Sequence, residues 1–304
     1  MKNTIRRSAL LLCAFSFLFA FNACQKEADV QQDLTTHEHH EHNSELDITT
    51  IPDDQISQAK EAEEHHDALL KHIDDMAINL EDVERIDFPL PDGTMEERFL
   101  VEGCIAMTEE ELHGHIMAAG DNTRQYRTRN LVTPRTLTVI GYTAGSFGLT
   151  SKMQTALRWA VANYNRLGLT INFSLSFSGS TNADIVVYQN TLNSGAGGQA
   201  GFPSLGNPFK WVQIFSGMES RSTNVNEHVI THEIGHCIGL RHTDYFSRAS
   251  CGQNVNEGDG GVGAIPIAGT PTGIDWESVM LACFNNNEDG EFGGFDVTAL
   301  RAVY

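Results

Sequence analysis

The chain has 304 residues, of which 40 are acidic and 20 basic, a net charge of −20 with histidines neutral. That length allows one or two domains, and the absence of a basic patch for phosphates excludes a nucleic-acid-binding protein. The charge is unevenly placed: residues 24–130 carry 27 acidic and 8 basic side chains, residues 131–304 only 13 and 9, so two bodies of different character follow one another.

At the N-terminus "MKNTIRR" is basic, "SALLLCAFSFLFAF" is apolar for 14 residues, and "NAC" follows. A basic start, a short apolar run and small residues predict a secretory signal over 1–23, the run being too short to span a bilayer comfortably. An N-terminal membrane anchor is the alternative. "FNAC" resembles the lipobox of bacterial lipoproteins, with Phe21 where that pattern most often has Leu. The resemblance implies lipidation of Cys24, and Gln25 after it implies an outer-membrane or cell-surface lipoprotein ("QKE" resembles a surface-export tag). Plain secretion is the other outcome, and any membrane contact is through the lipid. Export places the remaining cysteines, Cys104, Cys237, Cys251 and Cys283, in an oxidising compartment.

Residues 24–50 are polar, acidic and His-rich, with "HEHHEH"; they read as a solvated tether, loose metal gathering being the alternative. Residues 51–130 read as a small, mostly helical segment. An amphipathic helix is predicted over 55–80. "FLVEGCIAM" is strand-like, and "TEEELHGHIM" is a short helix opened by a Thr108–Glu111 capping box. "GDNTRQYRTRN", with Arg124, Arg127 and Arg129, reads as an exposed, cleavable linker.

Residues 131–304 open with a strand, "TLTVIGY", then a helix from Ser151 whose apolar face is Met153, Leu157, Ala160, Tyr164 and Leu167 and which Gly168 ends. "INFSLSF", "DIVVYQ" and "KWVQIF" are strands, with the Gly-rich "NSGAGGQAG" between the last two. A helix opened by Asn224 and Glu227 follows, then a loop-rich stretch to 291, and "FDVTALRAVY" closes with a short helix.

That penultimate helix carries "ITHEIGHCIGLRHTD". His232 and His236 are four apart, so both imidazoles share one helix face. Gly239 can take the left-handed turn that ends a helix, which lets His242 swing back as a third ligand. Three neutral imidazoles and a water make an open, catalytic zinc site. Glu233 lies toward the water side as general base. Cys237, at about 100° per residue, groups with Ile230, Ile234 and Ile238 on the apolar face, as a core residue or one half of a disulfide. A chance pattern on a core helix, or an intact motif in a catalytically dead zinc protein, are the bland readings.

"HEIGHCIGLRH" is similar to the metzincin zinc peptidases, and "HEIGH" itself matches the dual-action HEIGH metallopeptidase family. The resemblance covers about residues 131–304. It implies an α+β fold: a metzincin-like zincin catalytic domain with a twisted mixed sheet, an active-site helix and a loop-rich C-terminal subdomain, preceded over 51–130 by a pro-segment. Met280 in "DWESVML" is then the methionine of a Met-turn, against the alternative of an ordinary core methionine, and "FDVTALRAVY" resembles the family's closing helix. Where some metzincins carry an oxyanion-binding tyrosine, this chain has Ala282; Tyr245 is nearby in sequence. Thr243, where astacins have Glu and adamalysins Asp, argues against those two branches. Extended peptides bind sheet edges as an added strand, and "GFPSLGNPFKWVQIF", with Pro203 and Pro208, is the candidate edge.

"LVEGCIAM" resembles the astacin pro-segment motif with Cys104 in the place of the zinc-capping aspartate, and matrix metallopeptidases use a pro-segment cysteine. Cys104 as a thiolate on zinc in a zymogen is one reading. A disulfide to Cys237, Cys251 or Cys283, or a free thiol, are the others. Cys251 is expected to pair with Cys283, since Cys237 points into the core. The acidic "NNNEDGE" over 285–291 offers Ca2+ a site, or is simply solvated. Together these features predict a monomeric zinc endopeptidase acting on peptides or proteins, with one catalytic Zn2+. A zinc-containing surface adhesin lipoprotein is the rival from another class.

Overall fold

A computed structural model of the chain describes residues 83–101, 103–109, 111, 125–258, 262–271 and 273–304. The predicted signal, Cys24, the tether and the helix over 55–80 lie outside them. The central element is a five-stranded sheet. It is built from β5 (Thr136–Tyr142), β6 (Asn172–Ser178), β7 (Ile185–Asn190), β8 (Gly198–Gln199) and β9 (Trp211–Phe215), in the order β6-β5-β7-β9-β8. The first four are parallel and β8 runs antiparallel to β9. β7 is "IVVYQN", buried at every position, as a strand covered on both faces must be.

Side chains alternate across that sheet. Leu137, Val139, Ile185, Val187, Val212 and Ile214 face the main core with helices α1 (Ser151–Asn165) and α2 (Thr223–Cys237). Tyr164 of α1 donates its hydroxyl to the carbonyl of Thr231 in α2 at 2.8 Å, locking the two helices together. Each helix opens on a hydroxyl N-cap. Thr150 accepts from Met153 N and Ser222 from Val225 N, so the caps sit before the predicted Ser151 and Asn224. Both capping residues have extended backbone, which is what lets the oxygen turn back to the free amides. A final helix, α3 (Gly294–Val303), adds Ala299 and Leu300 to the core.

Val186 and Tyr188 point the other way, toward the segment read as mostly helical, whose expected helix over 55–80 lies outside the described residues and whose "FLVEGCIAM" is strand as expected. The described part of it is β1 (Glu84–Pro89), β2 (Met95–Val101) and β3 (Ile105–Met107), a three-stranded antiparallel sheet. Pro91-Asp92-Gly93, with Gly93 at φ 85°, turns β1 into β2; Asp-Gly between strands is a hairpin signal. Phe88, Leu90 and Ala106 cover Val186, Tyr188 and Phe147. Tyr188 Oη (2.7 Å) and Gln213 Nε2 (3.1 Å) both donate to the carbonyl of Pro89. Arg98 is buried, its guanidinium 4.6 Å from the ring centre of Phe88 and 5.2 Å from that of Phe209. The Thr108–Glu111 capping box is present, each side chain accepting from the other residue's amide.

The predicted linker is corrected over its described part. β4 (Tyr126–Arg127) pairs antiparallel with β10 (Ile265–Pro266), and the amide of buried Gln125 donates to Asp275 and Asp296. Arg127 and Arg129 are half-buried parts of the body. The described residues thus form a mixed α+β fold of three α-helices and a mixed central sheet, the first face of that sheet filled by helices and the second by β1–β3.

Candidate metal centre

α2 is buried along nearly its whole length, which takes its polar residues, the histidines and Glu233 among them, into the interior. The helix stops at Cys237. Gly239 takes φ 104°, and a Cβ there would stand 2.8 Å from Thr128 Oγ1. The left-handed turn is closed by Leu240 N donating to Gly235 O at 2.9 Å. The chain reverses at this point and brings His242 beside the two helix histidines.

His232, His236 and His242 are all fully buried, and their ring centres lie 4.5, 5.2 and 4.9 Å apart pairwise. Each Nδ1 faces an acceptor. His232 Nδ1 is 2.9 Å from Val279 O, His236 Nδ1 is 2.9 Å from Leu240 O, and His242 Nδ1 is 2.8 and 3.0 Å from the two carboxylate oxygens of Glu257. An acceptor at Nδ1 requires the proton there, which leaves Nε2 as a bare lone pair. Burial reinforces this by holding the imidazoles neutral: it pushes His232 down to about 4 and His236 and His242 well below the ordinary histidine value.

The Nε2 atoms of His232 and His236 are 2.9 Å apart, and neither has a proton to give the other. Two lone pairs at that distance repel unless a cation lies between them. Cys104 Sγ joins the group, 3.5 Å from His242 Nε2 and 3.8 Å from His236 Nε2. The four donor atoms lie within 4.8 Å of one another. Three imidazole nitrogens and one sulfur are a donor set suited to zinc.

Glu233 is fully buried, and among the described residues neither of its carboxylate oxygens has a hydrogen-bond partner. Burial raises its pKa well above the ordinary value. Its side chain lies against Gly198 of β8. β8, not the stretch from 201 to 215, is the sheet edge: β9 is enclosed between β7 and β8, and Pro203 and Pro208 lie in the connecting loop. Cys104 is delivered along that edge. Ala200 donates its amide to Cys104 O at 3.0 Å and accepts from Ala106 N at 2.7 Å, and Ile105 and Ala200 form a parallel bridge.

Met280 is buried, with its sulfur against Gly235 of α2 and its carbonyl accepting from Thr243 N at 2.9 Å. A Cβ on Gly235 would meet that sulfur at 2.5 Å, which accounts for glycine at this position. Cys251 and Cys283 form a disulfide, and Cys237 is buried among core residues. Tyr245 packs edge-on against Tyr126, 4.3 Å between ring centres, under the Arg241 guanidinium. Glu257 has no counterpart in the sequence expectations. It is one acid in the polar loop "GQNVNEGDG", with Asp259 two positions on and no periodicity to single it out.

A family model described as dual-action HEIGH metallo-peptidase matches residues 99–304. No curated protein matches the chain. Among solved structures, one titled "Structure of Myroilysin" is similar at 14% identity, covering 56% of this chain and 80% of that one, with a TM-score of 0.35. Another, titled "Crystal structure of myroilysin", is similar at 14% identity, covering 63% and 95%, with a TM-score of 0.36.

Proposed function

The chain belongs to the dual-action HEIGH metallo-peptidase family, and from that premise we propose that it is a zinc endopeptidase made as a zymogen, with Cys104 blocking its metal. The observation that carries the proposal is the convergence of three Nε2 lone pairs and one sulfur on a single point in the interior. His232, His236 and His242 would hold the ion and Cys104 its fourth position. Bound zinc supplies a Lewis acid for the scissile carbonyl and lowers the pKa of a water.

The rest falls to the chain's own groups. Glu233 receives the proton of the attacking water and passes it to the leaving amine; a buried carboxylate with a raised pKa is a strong base for that transfer. The β8 edge presents backbone groups to an extended peptide. In the latent chain Cys104, Ile105 and Ala106 occupy that edge themselves, so one short segment fills both the metal's open position and part of the substrate's place. Met280 beneath Gly235 fits the role of a Met-turn methionine of the metzincin type. Export, with Cys24 lipidated, belongs to the same proposal.

The test compares the uncleaved parent with uncleaved Cys104→Ala on casein and a peptide library, with Cys104→Ala/Glu233→Ala as control and metal content measured for each. The proposal expects zinc in all three and peptidase activity in Cys104→Ala alone. A Cys104→Ala chain that holds zinc yet is as inactive as the uncleaved parent removes the cysteine block. Cleavage by Cys104→Ala/Glu233→Ala equal to that of Cys104→Ala removes the role of Glu233.

A further inference from the structure

We infer that Glu257 is a positioning residue for the metal centre, held in place by the loop that the Cys251–Cys283 disulfide closes. The inference rests on the metal reading above and extends it to a part of the chain outside the histidine motif.

His232 and His236 have their Nδ1 protons fixed by backbone carbonyls, Val279 O and Leu240 O. His242 Nδ1 instead faces a side chain, the carboxylate of Glu257. A carboxylate facing Nδ1 orients the ring, fixes the tautomer and makes the opposite nitrogen a better donor, and losing such a partner typically weakens metal binding about 10–100-fold. Glu257 is itself 4% exposed, so its charge needs compensation, which Arg248 Nη1 gives at 2.9 Å.

Glu257 reaches His242 only because residues 244–257 fold back on themselves. Glu257 N donates to Tyr245 O at 2.8 Å and Val255 N to Ser247 O at 3.0 Å. Arg248 stands at the pivot with φ 47°, a left-handed conformation rare for a side-chain-bearing residue, and its carbonyl accepts from Cys251 N at 3.0 Å. Two fastenings tie this loop to the strand of chain after Met280. One is the Cys251–Cys283 bond. The other is Asp244, which accepts from Ala282 N and from Ser250 N and Oγ, while Ser250 Oγ accepts from Cys283 N. Val279, whose carbonyl faces His232 Nδ1, lies immediately before that segment, on the other side of Met280. Orientation of two of the three histidines is therefore set at or beside segments that the disulfide joins.

The experiment uses the full chain. Zinc affinity is measured by competition with a chromophoric chelator, and the His242 tautomer by 15N chemical shifts of the metal-free protein. The variants are Glu257→Gln, Glu257→Ala, Cys251→Ser/Cys283→Ser and its combination with Glu257→Ala. Gln keeps an acceptor for Nδ1 but loses the charge; Ala loses both. Affinity is expected to fall in the order parent, Gln, Ala, with Ala about 10–100-fold weaker, and the Nδ1–H tautomer is kept in Gln and lost in Ala. The serine pair weakens zinc in the same direction, and adding Glu257→Ala to it has a smaller effect than in the parent, because both act through one contact. Parent-like affinity and tautomer in Glu257→Ala overturn the inference, and so does full additivity with the serine pair. A parent chain that takes up no zinc would instead overturn the metal reading itself. Should Glu257→Ala fail to fold, Glu257→Gln decides alone: an affinity equal to the parent's overturns the role of the charge.

Discussion

Gly198 on the edge strand and Glu233 on the helix are in direct contact: a Cβ on Gly198 would lie 2.8 Å from Glu233 Cγ and 2.9 Å from its Oε1. The carboxylate thus owes its position to a missing side chain. The same Cβ would also meet Gln213 O at 2.8 Å, so the strand cannot retreat from it. Gly198→Ala is expected to keep zinc content and lower kcat of the processed enzyme by at least tenfold, the order of loss for a displaced catalytic group. Steady-state kinetics beside metal analysis check it, and an unchanged kcat would count against Glu233 as the base.

The pH dependence follows from the raised pKa of Glu233. As the proposed general base the group works deprotonated, so kcat/KM should fall as pH drops through that raised value. The acid limb should lie above the ordinary glutamate range of about 4.3. Glu233→Gln should lose about 10²–10⁴-fold in kcat without losing zinc. A pH–rate profile on processed enzyme decides the first point, and an acid limb at the ordinary range would contradict it.

Glu227, one turn from the histidines, has its pKa raised to about 7, first by burial and then by Glu291, despite the hydrogen bond from Asn163. The native state therefore holds this proton more tightly than the unfolded chain does. Stability from this group is full below the unfolded value of about 4.3 and is lost as pH rises through 7. Glu227→Gln is expected to raise Tm at pH 8 and to have little effect near pH 4, as thermal melts across that range would show.

Tyr188 and Gln213 hold the carbonyl of Pro89 from the body's side. Replacing both by Phe and Leu removes two buried donors at about 1 kcal/mol each. In the proposed zymogen this loosens β1–β3 from the sheet. Basal activity of the uncleaved chain should then rise about 10-fold or more, and limited proteolysis of the segment should accelerate.

What could be read from the sequence was what is local. The four-residue spacing of His232 and His236, the reversal at Gly239 and the burial of Cys237 with its isoleucine neighbours are properties of one helix and its end. Four strands of the central sheet lie within about a residue of their predicted spans because β-branched and apolar runs mark them, whereas the two-residue β8 falls in the stretch read as a Gly-rich loop, where no such run exists. The caps slipped by one and two residues because Thr150-Ser151 and Ser222-Thr223-Asn224 each offer several equivalent oxygens, and only the backbone angle selects among them. Glu257 and Val279 O were out of reach, since one is an acid in a featureless loop and the other a backbone carbonyl. The β1–β2 hairpin is marked by Asp92-Gly93, a turn signal absent from the sequence expectations.

The pairing of Cys104 with histidines more than a hundred positions away has a consequence for the unfolded chain. Cys104 and His236 are 132 residues apart. An ion gripping both closes a loop of that length, as a crosslink would. The entropy of such closure grows with the logarithm of loop length, at about (3/2)RT ln n. The proposed zymogen would then be fastened by its metal more firmly than a version lacking the sulfur. Chelation should lower the Tm of the parent by more than that of Cys104→Ala, and the difference measures the staple separately from the local bonds of the site.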